Sequence, residues 1–88
     1  MVQNDDKMMF DFADKFIKLA NELSKSDRSG NVGVAIRYAA ARYSAFEASM
    51  RTDNLAEDKD KQLQDFSDIF TDMLRVNLED YIEVLSKK

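Results

Sequence analysis

The stretch DRSGN at residues 27–31 and the shorter stretch TDN at residues 52–54 are polar turn clusters that divide the chain. The sequence contains no proline, so these clusters are its main breaks. Asn54 begins an N-x-x-E pattern that ends at Glu57, and this spacing resembles a capping box at the start of a helix. We therefore predict three helices, over residues 5–26, 32–52 and 55–86.

The first and third predicted helices are amphipathic, because their apolar residues recur at three- and four-residue steps. At 1.5 Å per residue the third helix is roughly 45 Å long, more than either of the others can cover. A chain of 88 residues has room for one core. We predict an all-α fold, with a single domain over residues 1–88 built as a three-helix up-down-up bundle. The apolar stripe of the third helix consists of Leu63, Phe66, Phe70, Met73, Leu74, Tyr81 and Val84, broadened by Leu78, Ile82 and Leu85.

The second predicted helix is apolar on two opposite sides. One side is a predicted core stripe of Val32, Ile36, Ala39, Tyr43, Phe46 and Met50. The other side, the back face, is flat and rich in alanine and consists of Val34, Tyr38, Ala41, Ala45 and Ala48. A helix in a three-helix monomer needs one apolar face, so the back face predicts an interface with another chain, and we expect the protein to assemble as a dimer. The alternative is that alanine serves helix propensity alone.

Composition excludes several classes of function. The net charge is -4, and lysine and arginine alternate with acidic residues, which argues against a nucleic-acid-binding face. The sequence has no cysteine and no histidine, which removes the usual catalytic nucleophile–base pairs and the common zinc sites. No run of 18 apolar residues and no export signal is visible, so we expect a cytoplasmic protein without a membrane span. We expect no cofactor and no metal, and read the carboxylate ladder of Asp65, Asp68 and Asp72 as a solvated face.

A set of polar residues near the apolar stripes is the candidate for a site. Asn77 falls in the middle of the stripe of the third helix, where an unpaired buried amide would cost about 1–3 kcal/mol, so we expect it to have a partner. A buried or half-buried network is one interpretation, and it would fix the helix register. A small ligand pocket in which Arg42 holds an anionic group is the other. The candidate ligand-binding residues are Asn21, Arg42, Tyr43, Asn77 and Asp80.

Three segments resemble a family of short bacterial proteins catalogued as domain of unknown function 3144: FADKFIKLAN at residues 12–21, YAAARYSAF at 38–46 and NLEDYI at 77–82. The resemblance implies small size, bacterial origin and no assigned activity. It makes Asn21, Tyr38, Arg42, Asn77, Asp80 and Tyr81 the first positions to test.

Two functions remain open on the sequence. The preferred hypothesis is a non-enzymatic interaction module, a homodimer whose back face or acidic third helix binds another, unidentified protein. The alternative is a helical bundle that binds a small ligand through the polar cluster around Arg42 and Asn77.

Overall fold

The protein is all-α over the residues that the computed structural model describes, which are 4–87, with side chains from Asp6 onward. Three helices follow one another: α1 (Asn4–Ser24), α2 (Asn31–Arg51) and α3 (Leu55–Ser86). The predicted helix ends differ from these bounds by at most two residues. The predicted domain range, 1–88, includes residues 1–3 and 88, which lie outside the described part. The chain comprises two compact units, Met1–Tyr43 and Ser44–Lys88.

The first unit contains α1, the first turn and the start of α2. The backbone amide of Ser26 donates to the carbonyl of Leu23 at 3.3 Å as α1 ends. The Asp27 carboxylate then accepts hydrogen bonds from the Ser29 amide at 2.9 Å and the Ser29 hydroxyl at 2.5 Å, which closes the turn. Gly30 follows with a φ of 96°, a left-handed conformation that favours glycine. The half-buried residues of this unit are Ala13, Ala20, Val32 and Gly33.

The second unit contains the end of α2, the second turn and α3. Thr52 fixes the turn, because its hydroxyl hydrogen-bonds to the Asp58 carboxylate and accepts the Asn54 amide at 3.1 Å. Asn54 is the N-cap of α3, and its side chain accepts the Glu57 amide at 3.2 Å. The turn is therefore held by side chains that the sequence places within seven residues of one another.

The most deeply buried side chain of the second unit belongs to a small residue, Ala48. Ala48 is 5% exposed and is the one buried hydrophobic side chain of residues 6–87. The half-buried residues of this unit are Ser44, Glu47, Thr52, Asp58, Gln62, Asp65 and Phe66. Every residue from 67 to 87 is exposed. The part of α3 near the turn is thus partly covered, whereas its second half is not.

The side of α2 that is covered differs from the predicted core stripe. Of that stripe only Val32 is half-buried, whereas Phe46 and Met50 are exposed, Met50 by 72%. In the second unit the covered side of α2 carries Ser44, Glu47 and Ala48 instead. The small Ala48 side chain lets another segment approach the helix closely, so bulk and apolarity alone are a poor guide to the covered side.

Candidate interaction surface

The back face of α2 is exposed over its first three residues. Val34 is 58% exposed, Tyr38 is 65% exposed and Ala41 is exposed, and their spacing places all three on one side of the helix. Ala45 is also exposed. Ala48 is covered by the chain itself, so it offers no surface to a partner and the back face is shortened to Val34, Tyr38, Ala41 and Ala45. A flat face of this kind lets another helix come close.

Two arginines lie along the edges of the back face. At 100° per residue Arg37 falls on one side of Ala41 and Arg42 falls on the other, beside Tyr38. Both side chains are exposed, and neither forms an ion pair with any described residue. The back face is therefore an apolar strip with positive charge on both edges.

The second half of α3 carries a larger apolar surface, here called the α3 stripe. Its side chains are between 46% and 68% exposed, with Leu74 at the lower limit and Tyr81 at the upper. Asp80 lies along one edge of the stripe, whereas its neighbour Glu79 points to the opposite side of the helix. The α3 stripe consists of Phe70, Met73, Leu74, Leu78, Tyr81, Ile82, Val84 and Leu85.

The two helices differ in the sign of their charge. α2 contains three arginines and one glutamate, whereas α3 contains nine acidic and three basic residues. Three of these acidic residues pair with a basic residue of the same helix or of its C-cap: Asp65 with Lys61 at 2.8 Å, Asp72 with Arg75 at 2.8 Å and Glu83 with Lys87 at 3.3 Å. The pKa of Lys61 is raised by its hydrogen bond to Asp65 and by the charge of that carboxylate. Neither Glu79 nor Asp80 has an ion-pair partner among the described residues.

The predicted polar cluster is exposed at each of its positions. Asn77 does have a partner, but it is the helix backbone: the Asn77 amide nitrogen donates to the carbonyl of Met73 at 2.8 Å. This contact leaves the residue exposed, so the partner that we expected is present, whereas Asn77 is not part of a buried or half-buried network. Asn21 lines a shallow, open depression at the first turn together with Lys25 and Arg28. Arg42, Tyr43 and Asp80 are exposed as well.

These exposures bear on the ligand hypothesis. A small-molecule site is usually a concave pocket with a few polar groups that converge on the ligand. Asn77 is exposed and donates its hydrogen bond to its own helix, and Arg42 is exposed as well. Neither side chain therefore provides a group that converges on a ligand within its own unit. The exposure of Asn77 and Arg42 thus gives no support to a small-ligand site.

Sequence reasoning missed the residues that hold the second turn. The Arg51 guanidinium lies over the Phe66 ring, with its central carbon 4.8 Å from the ring centroid. Gln62 is half-buried, and its side-chain oxygen is buried without a hydrogen-bond partner. The spacing of Thr52 and Asp58 around the N-cap was the available signal, because it brings a hydroxyl to the first turn of α3.

Two kinds of site are absent from the described residues. No helix there is long and apolar enough to cross a membrane. Over the same range, no three acidic side chains come together in a way that could hold a metal ion. Asp65 and Asp72 of the carboxylate ladder are salt-bridged, and Asp68 accepts a hydrogen bond from the Gln64 amide at 2.7 Å.

Comparison with known proteins gives one match. The family model described as protein of unknown function (DUF3144) matches residues 9–82, which is most of the chain. No curated protein and no solved structure matches it.

Proposed function

The chain belongs to the DUF3144 family of proteins of unknown function, and from that premise we propose that it is a non-enzymatic helical module for protein–protein interaction. The observation that carries the proposal is the exposure of its apolar side chains. Large apolar residues of all three helices are exposed, and Ala48 alone is a buried hydrophobic residue of the described side chains.

This exposure exceeds what a soluble monomer ordinarily shows. Scattered apolar residues on a surface are normal, but contiguous patches larger than a few hundred Å² mark sites of interaction. The α3 stripe is contiguous along one helix, and the back face of α2 adds a second apolar strip. Burying one such side chain gives about 1.5–3 kcal/mol, so a surface of this extent is strongly favoured to find a partner.

The proposal includes the assembled state. We propose that the module is cytoplasmic and homodimeric, and that its three helices belong to a single domain of up-down-up topology, a bundle whose core is completed by a helix of the second copy. The energetics support self-association, because ordering the backbone costs about 1–2 kcal/mol per residue, and among residues 6–87 of a single copy one apolar side chain, that of Ala48, is buried to offset this cost. A partner subunit supplies the missing burial.

The test is the mass of the assembly in solution. Sedimentation equilibrium should give a dimer for the natural sequence and a monomer for Tyr38→Glu, because the change removes an aromatic side chain from the back face and a carboxylate there would lose its hydration when the face is covered. The matched control is Ala40→Glu, which adds the same group at an exposed position on another side of α2. Circular dichroism should show that Ala40→Glu is as helical and as heat-stable as the natural protein, whereas the helices of Tyr38→Glu should melt at a lower temperature because burial between copies is lost.

Two outcomes oppose the proposal. A natural protein that sediments as a monomer at high concentration would contradict self-association. A Tyr38→Glu protein that still assembles as tightly as Ala40→Glu would show that the back face is not the contact.

A further inference from the structure

We propose that the α3 stripe of one copy packs on the back face of α2 in a second copy, with Asp80 of the first copy facing Arg42 of the second. This inference rests on the proposed function and names the surface that the dimer uses. It commits to a second copy of this chain as the occupant of both faces.

The area of the α3 stripe fits a dimer interface. Its eight large side chains are about half exposed or more, and at roughly 100 Å² of open surface each they offer about 800 Å², which is what one partner contributes to a stable interface of standard size. A two-fold axis generates the contact twice, because α2 of each copy then meets α3 of the other. The two faces therefore offer enough apolar surface for a dimer interface of standard size.

Charge decides which helix meets which. Pairing the α3 stripe with its own copy would bring together two segments that each carry five acidic and two basic residues between residues 67 and 87. Arg75 pairs with Asp72 and Lys87 pairs with Glu83, so each segment keeps an excess of acidic charge. Repulsion between the acidic side chains of the two copies disfavours this contact. α2 has more positive than negative charge, and two of its arginines, Arg37 and Arg42, lie on the edges of its back face. Pairing α3 with α2 thus replaces repulsion by attraction.

Side-chain size supports the same pairing. The α3 stripe is made of bulky side chains, whereas the back face carries the small Ala41 and Ala45 in the turns that follow Val34 and Tyr38. Large residues of one helix pack well into the depressions that small residues leave on another. Tyr81 lies near the centre of the α3 stripe and Tyr38 near the centre of the exposed back face, so the two come close in this arrangement.

The first experiment reverses charge at two neighbouring positions of α3. Asp80→Arg places a cation opposite Arg42 and should raise the dissociation constant of the dimer about tenfold or more. Glu79→Arg makes the same change in charge on the opposite side of the helix, so it should leave the constant within about twofold. The double variant Arg42→Asp/Asp80→Arg restores opposite charges and should recover most of the natural affinity. All constants are measured by sedimentation equilibrium at low salt.

A cross-linking experiment covers the case in which a charge variant unfolds. The natural sequence has no cysteine, so a Tyr38→Cys protein mixed with a Tyr81→Cys protein carries one thiol per chain. Mild oxidation should join the two kinds of chain to each other in preference to like chains. A Glu79→Cys protein takes the place of Tyr81→Cys as the control and should give little of the mixed product.

The outcomes separate this inference from the proposed function. If the natural protein is a dimer but Asp80→Arg and Glu79→Arg behave alike, and the mixed thiols do not join, the α2–α3 pairing is wrong while self-association stands. If the natural protein is a monomer, both fail. Rescue by the double variant together with the mixed cross-link supports the pairing.

Discussion

At the scale of single residues, the backbone requires glycine at one of the chain's two glycine positions and not at the other. Gly30 has a φ of 96° with open space around it, so an added methyl group would meet no neighbour but would strain the backbone. Gly33 lies inside α2, and a methyl group there would meet only the mobile end of the Arg37 side chain, at 3.5 Å. Glycine is therefore required at residue 30 and unfavourable at residue 33.

We predict that the same substitution changes stability in opposite directions at these two positions. Gly30→Ala should destabilise the protein by about 1–2 kcal/mol, because alanine resists a left-handed conformation. Gly33→Ala should stabilise it by about 0.5–1 kcal/mol through helix propensity. Urea unfolding followed by circular dichroism measures both. Equal effects of the two substitutions would contradict the described turn.

The turn also predicts a pH effect at Asp27. The hydrogen bonds from the side chain and then the backbone of Ser29 lower the pKa of Asp27 below its ordinary value of 3.8. A lowered folded-state pKa stabilises the protein above pH 3.8, and this contribution disappears as the pH falls through the folded-state value. In Ser29→Ala the Asp27 pKa should rise toward 3.8, as followed by NMR titration of the carboxyl carbon. Ser26→Ala is the control and should leave it unchanged.

At the scale of the helices, sequence patterns predicted the elements better than their faces. The polar clusters at residues 27–31 and 52–54 mark the breaks because local chemistry determines them: an Asp27–Ser29 turn and an Asn54 cap. The covered side of α2 depends instead on the direction in which the chain leaves Thr52, which no periodicity within α2 encodes. This is why the helical pattern does not predict the burial of Ala48. Asn77 is exposed for a different reason, because every residue around it from 67 to 87 is exposed.

The packing of the second unit predicts a position-specific response to bulk. Ala48→Leu adds volume at a buried position and should destabilise the protein by about 1–3 kcal/mol. Ala40→Leu makes the same change at an exposed position of the same helix and should alter stability by less than about 0.5 kcal/mol. Urea titration of both variants at one protein concentration is the measurement. If Ala48→Leu is tolerated as well as Ala40→Leu, the contact around Ala48 is not formed.

At the scale of the whole molecule, the fold class follows from composition and the assembly does not. A chain without proline, with three segments whose apolar residues recur at helical spacing, has few alternatives to an all-α structure. Its apolar faces can pack against one another or against a second chain. The choice depends on small differences between the free energy of apolar burial and the cost of conformational entropy, which a single sequence does not reveal. The exposed α3 stripe is the feature that favours the second possibility.

If burial between copies completes the fold, stability must depend on protein concentration. A hundredfold dilution removes about 2.7 kcal/mol from the stability of a dimer, which lowers Tm by roughly 5–10 °C when the unfolding entropy of two chains is taken into account. The Tyr38→Glu protein should melt at a lower temperature that does not change on dilution, because its back face no longer holds a second copy. Thermal melts followed by circular dichroism over this range measure both. A Tm of the natural protein that is independent of concentration would mean that each chain is stable alone, and that its exposed apolar faces serve a partner other than itself.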